Sequence, residues 1–201
     1  MAYNIFATWT FIQLNMNKSN PQIDREIIFR SQNGDEKAFT ELIGKFRISL
    51  FSYLVRFCGD RTQAEDLFQE TLVKVWNYLP DYRHKNKFAA WLFGIAHNVA
   101  IDARRKKKVR ELVTYAADLP ESESSDQPDA QLLADEIAQI VDAVLQNLPE
   151  NQRQVFLLRQ HGGMSFKEIA VVMKQPLNTV LSHMHYAATK LKKTLREHHV
   201  F

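Results

Sequence analysis

Six cations crowd into seven positions near the middle of the chain, Arg104-Arg105-Lys106-Lys107-Lys108 and then Arg110. Side chains of this kind at this density hold polyanions, because each neutralised phosphate releases condensed counterions. A second group lies toward the C-terminus. Asn178, Thr179, Ser182, His183 and Tyr186 are followed by Lys190, Lys192, Lys193 and Arg196. Serine, threonine and asparagine reach base edges, while lysines hold phosphates. A basic helix end is also explained by the attraction of Lys and Arg to a helix C-terminus, so the surroundings must decide.

Other chemistries find no support. His183 and His185 are two apart, which does not bring them together on a helix, and His198-His199 lie near the end of the chain. No glycine loop suited to phosphates and no nucleophile triad is present. Neither catalysis, nor a metal, nor a cofactor is expected. Cys58 is the single cysteine, so no disulfide framework forms and a reducing, cytoplasmic setting is expected. No stretch approaches eighteen uncharged apolar residues, so no membrane insertion is expected.

The elements that must position these cations are helices. Phe88, Trp91, Leu92, Ile95 and Val99 recur at three- and four-residue steps, anchoring the basic run through one apolar face. Upstream, Ile23, Ile27 and Ile28 predict a short helix after Pro21. A stripe from Phe39 to Phe57 predicts one helix over about residues 36–57. Ala64, Leu67, Phe68, Leu72, Val75 and Trp76 predict another over about 62–78, ended by Pro80. Four helices with short joints make one module, residues 21–112.

The charge is unevenly spread. Residues 111–150 carry ten acidic side chains and no Lys or Arg, whereas residues 81–110 carry nine basic and two acidic. The run ADLPESESSDQP within this acidic block reads as a flexible linker, residues 113–129. It is repelled by a polyanion bound to the basic blocks, or covers those blocks when none is bound. A second module, residues 130–201, begins with Leu133, Ile137, Ile140, Val141, Val144 and Leu145. Ser165 with Glu168 is a capping box, so a short helix starts there and carries Phe166, Ile169, Ala170 and Met173 inward. Pro176 opens a further helix with Val180, Met184 and Ala187. Two short helices joined tightly, with a small alanine at the crossing, have the form of a helix-turn-helix, although a plain helical hairpin shows the same pattern. The expected fold class is all-α: two small helical domains joined by an acidic flexible linker, the second containing the helix-turn-helix. Residues 1–20, aromatic at their start, read as an N-terminal extension of uncertain status.

Both modules resemble the sigma factors of the sigma-70 family, of the extracytoplasmic-function type, which bring RNA polymerase to promoters and open the −10 element. The first does so through AEDLFQETLVKVW (Ala64 to Trp76) and FAAWLFGIAHNVAIDARR (Phe88 to Arg105). The second does so through the run from Leu148 to Leu195, and the resemblance covers about residues 35–195. It implies that Asp66, Gln69, Glu70 and Lys74 face a coiled-coil clamp on core polymerase, a face that periodicity alone calls merely solvated. It implies that Arg83, Lys85, Asn86 and Lys87 lie where a flipped-out base of the non-template strand is captured. Trp91 stands either there or in the core. Arg104, Arg105, Lys106, Lys107 and Lys108 become −10 region contacts, while Asp102 is expected to pair internally with Arg105 or Arg110. Asn178, Thr179, Ser182, His183, Tyr186 and Lys190 become the −35 contacts. The implied partners are core RNA polymerase and promoter DNA, and the family often adds an anti-sigma factor, which no residue here marks.

The chain also departs from the family pattern. Leu181, His183 and Tyr186 stand where the recognition helix often presents Lys or Arg, and Lys174 replaces the turn glycine. A left-handed Lys174 would cost about 1 kcal/mol relative to glycine. The alternative function is a stand-alone helix-turn-helix regulator, which would bind duplex DNA without polymerase.

Overall fold

Helix α1 (Arg25–Gln32) opens the computed structural model, which describes residues 25–83, 87–114 and 132–198, with the side chains of all but 111–114 and 132–137. The expected extension 1–20 and residues 115–129 of the expected linker 113–129 lie outside the described residues, as do Ile23, Lys85 and Asn86, while residues 113 and 114 end α5. The chain continues through α2 (Glu36–Gly44), α3 (Arg47–Cys58), α4 (Arg61–Tyr78), a 3-10 turn (Leu79–Asp81) and α5 (Phe88–Thr114). After the linker come α6 (Leu132–Gln146), α7 (Glu150–Gly162), α8 (Phe166–Met173) and α9 (Leu177–Glu197). All regular structure among the described residues is helical, as the apolar periodicity requires.

Local signals account for most helix starts. The Asp60 carboxylate accepts from the Gln63 backbone N–H at 2.9 Å and starts α4; such a cap is worth about 1 kcal/mol. Asp35 caps α2 by accepting from Ala38 N–H at 3.0 Å. One expectation is corrected. The single helix over residues 36–57 is two, broken at Lys45 and Phe46 after Gly44. Glycine is a poor helix former, and the break turns Phe46 inward, where it is 1% exposed and packs on Phe88 at 5.6 Å between ring centroids.

Helix α5 is buried beyond its predicted stripe. Phe93, Ala96, His97 and Ala100 are buried as well as Phe88, Leu92 and Val99. The reason is that the second group of helices packs on the first and their buried residues form one continuous core. Gly94 and Gly162 permit the close approach. A Cβ on Gly94 would stand 3.4 Å from Val172 Cγ2, and one on Gly162 only 3.1 Å from Phe93 Cγ. Helix α7 lies between α9 and α3, which explains why Val155, Phe156, Leu157 and Leu158 are all buried although they are consecutive.

Three ion pairs border this seam: Arg56–Asp142 at 2.6 Å, Lys87–Glu168 at 3.3 Å and Arg104–Glu150 at 3.0 Å. Exposed pairs contribute about 0–1 kcal/mol each, whereas full burial of a side chain such as Phe93 contributes roughly 1.5–3 kcal/mol. The apolar seam therefore dominates and the charges set its register.

The helix-turn-helix forms as its capping box requires. Glu168 Oε2 accepts from the Ser165 backbone N–H at 2.9 Å, and Ser165 Oγ accepts from Glu168 N–H at 3.3 Å. Ala187 is fully buried in α9. Lys174 in the turn is left-handed, at φ 53° and ψ 44°. Replacing Lys174 with glycine should therefore raise stability, by up to about 1 kcal/mol, because the gain in backbone comfort exceeds the extra entropy lost by glycine. Urea unfolding of the two proteins measures this; a lower midpoint for Lys174→Gly would show that the left-handed turn is not strained.

Candidate nucleic-acid interface

Aromatic rings build the base of the basic loop. Tyr82 packs against Trp91 at 4.9 Å and against Phe88 at 5.6 Å, and Phe88 against Trp91 at 5.5 Å. Trp91 is half-buried in this cluster, so it serves the core while keeping an exposed edge. The Gln32 amide donates to the carbonyls of Leu79, at 3.0 Å, and Tyr82, at 2.8 Å, and so ties α1 to the start of the loop. Arg83 donates to the carbonyls of Pro80 and Tyr82 rather than reaching outward. Lys87 is exposed but engaged with Glu168.

The basic end of α5 is exposed from Arg104 to Arg110, yet its cations do not share one face. Arg104, Lys107 and Lys108, spaced i, i+3 and i+4, line one cleft together. Arg105 turns elsewhere and lies 3.9 Å from Asp102, the internal pairing expected for that carboxylate. Lys106 is exposed.

On α9, Asn178, Ser182 and Tyr186 are exposed, while Thr179 and His183 are half-buried. Leu181, 41% exposed, and Tyr186, 59% exposed, give this surface an apolar content that a lysine-rich recognition helix lacks. The Ser182 hydroxyl donates back to the Asn178 carbonyl at 3.0 Å. Lys190 is not directed to the same surface: its Nζ donates to the Asn147 carbonyl at 2.8 Å, at the end of α6.

Asp66, Gln69 and Glu70 are exposed on α4, and Lys74 pairs with Glu70 at 3.0 Å. Sequence reasoning missed Val73, which sits on the same face and is 60% exposed. Its signal was a valine off the buried stripe of α4. Among the described residues, no group of three His, Cys, Asp or Glu is placed to hold a metal, and no helix is long and apolar enough to cross a membrane.

The family description Sigma-70 region 2 matches residues 42–110, and Sigma-70, region 4 matches residues 138–191. The RNA polymerase sigma-H factor of Pseudomonas aeruginosa is 31% identical over 181 residues, covering 86% of this chain and 94% of that relative. The ECF RNA polymerase sigma-E factor of Escherichia coli K12 is 30% identical over 174 residues, covering 82% of this chain and 90% of that one. The chain belongs to the sigma-70 family, in its extracytoplasmic-function type. Solved sigma factors share its fold. CnrH, seen with the cytosolic domain of CnrY, has a TM-score of 0.59 at 24% identity, over 87% of this chain and 97% of that one. RpoE of Bartonella quintana, seen with the anti-sigma factor NepR, has a TM-score of 0.61 at 21% identity, over 78% and 98%. In this sigma factor the region 2 match ends at Arg110, so it includes the whole basic run of α5. The region 4 match contains α7, α8 and most of α9.

Proposed function

We propose that this sigma factor binds core RNA polymerase through the α4 face around Asp66, Gln69, Glu70 and Lys74, and directs it to promoters. The first module, residues 21–112, takes the −10 element. Cations at the loop and along α5 hold phosphates, and the aromatic cluster under the loop offers a place beside which an unstacked base can rest. The second module, residues 130–201, takes the −35 element through the exposed start of α9, with Asn178, Thr179, Ser182 and His183 toward bases. Tyr186 and Leu181 make this surface more apolar and less cationic, so recognition there depends more on polymerase than on the module alone. Residues 113–129 link the two. The work is that of a dissociable initiation subunit rather than an enzyme, in the bacterial cytoplasm, and an anti-sigma factor is a further partner proposed from the family.

The observation that carries this reading is the co-occurrence, in order on one chain, of the region 2 and region 4 matches, together with a relative aligned over nearly its whole length. A stand-alone regulator would need only the second. The test is transcription from a promoter library by core polymerase with and without the chain, run in parallel with an Asn86→Ala, Lys87→Ala variant. Wild type should add initiation at a discrete promoter set and make promoter thymines reactive to permanganate. The variant should still form closed complexes while losing most of that reactivity. Duplex binding equally strong without polymerase would favour the regulator, and normal reactivity in the variant would remove the loop from strand opening.

A further inference from the structure

A cleft of about 490 Å³ opens where the end of α5 passes the start of α7. Arg104, Lys107 and Lys108 line it from α5, and Arg153 from α7. Its floor is apolar, with Phe57, Leu67 and Ala100. One carboxylate, Glu150, also lines it, and that group is already occupied by Arg104 at 3.0 Å and by the Gln154 amide at 2.8 Å. Four cations thus face one carboxylate in a shared concavity. Among the described residues, Lys107 and Lys108 have no acidic side chain within ion-pair distance, and Arg153, which feels the charge of Glu150, donates its hydrogen bonds to neutral groups of Gln146.

Such a cluster opposes its own formation. Burial and the nearby charge of Arg104 both push the Arg153 guanidinium below its ordinary value. Cations held together in a partly desolvated cleft repel, and an anion that bridges them relieves that repulsion through charge-assisted hydrogen bonds. The volume lies within the range of small-ligand sites, about 300–1,000 Å³. With three cations on one wall and the fourth on the other, a single tetrahedral anion cannot serve both walls as well as a chain of phosphates can.

We propose that this cleft is a binding site for a small anion carrying two or three linked phosphates, held by Arg104, Lys107 and Lys108 of the first module and Arg153 of the second. Because three of these residues are also assigned to DNA, the site deepens the sigma-factor reading. Its occupation would hold the two modules together and withdraw the α5 cations from the promoter.

The test is calorimetric titration of the full chain with inorganic tripolyphosphate, in the absence of polymerase and DNA, at about 0.1 M salt to screen diffuse attraction. Failure here therefore leaves the sigma-factor reading untouched, and failure of polymerase-dependent initiation leaves this result standing. Saturable binding of one equivalent is expected, weakened about tenfold in Arg153→Gln by loss of a charge-assisted hydrogen bond. Lys37→Gln, an exposed cation on α2 outside the cleft, should bind as wild type does. Should Arg153→Gln melt early, Lys108→Gln, at an exposed position on the cleft wall, should show the same weakening. A nucleoside triphosphate arm separates two sources of the same chemistry: equal affinity means that the phosphates alone are held, and tighter binding means that the apolar floor takes the base. Absence of saturable binding, equal weakening in Arg153→Gln and Lys37→Gln, or orthophosphate binding as tightly as tripolyphosphate would each overturn the proposal.

Discussion

The charge-reversed variant Asp66→Lys, Glu70→Lys should lose affinity for core RNA polymerase by roughly a hundredfold or more while keeping its helical content. Both carboxylates are exposed on α4, where Glu70 forms a surface pair with Lys74. That pair contributes at most about 1 kcal/mol, so its loss leaves the fold intact. At an interface the sign of the charge matters far more. Removing one partner of a desolvated charge pair costs about 2–5 kcal/mol, and reversal adds repulsion. Val73, exposed one turn beyond Glu70 on the same face, should amplify the effect because a new lysine would border an apolar contact. Interferometry with core enzyme measures the change, and circular dichroism verifies the fold. Unchanged affinity would remove the α4 face from the polymerase interface.

Acid should destabilise the chain well before its carboxylates are titrated. His97 is 4% exposed, its Nδ1 shares a hydrogen bond of 3.0 Å with the Tyr53 hydroxyl, and burial pushes its pKa down to about 4. Below the ordinary histidine value of about 6.5 the unfolded chain takes up a proton that the folded chain refuses. Stability is therefore complete above about pH 6.5 and falls as pH drops toward 4, by about 2–3 kcal/mol between pH 7 and pH 4.5. His161, desolvated and beside Arg56, is lowered too and acts in the same direction. Against a desolvation that raises it, hydrogen bonds from Ser165 and the charge of Lys87 hold the Glu168 carboxyl below its ordinary value, so its contribution is lost at lower pH still. His97→Asn keeps a polar partner for Tyr53 without a titrating ring, and should remove roughly half of the slope in urea unfolding, the rest staying with His161. An unaltered slope in that variant would place the proton uptake elsewhere.

Signals that act within one helical turn were legible in the sequence. The capping box at Ser165 depends on a neighbour three positions on, and it stands in the structure as expected. The basic run of α5 and the exposed acids of α4 were legible for the same reason, since a charge off an apolar stripe is solvated. The seam was not. Phe93, Gly94 and Leu157 lie off the predicted stripes, and only a partner helix far along the chain decides that they are buried. The same holds for Lys190, whose position in α9 points to phosphate but whose Nζ finds the Asn147 carbonyl first. The break at Lys45 and Phe46 was hidden because the apolar pattern of α2 runs on in phase into α3.

The fit of Phe93 against Gly162 has a consequence for every affinity measured on the free chain. In the proposed reading Lys87 and Arg104, which face carboxylates of the second module, are wholly free for DNA only in molecules whose seam has parted. With a seam worth about 3 kcal/mol, roughly one molecule in a hundred is open at any moment, and the apparent dissociation constant for a partner of the open form is the intrinsic one divided by that fraction. Contacts to DNA are then stronger than binding curves for the isolated protein report. A substitution that merely loosens the seam, such as a larger side chain at Gly162, tightens apparent binding without touching nucleic acid at all.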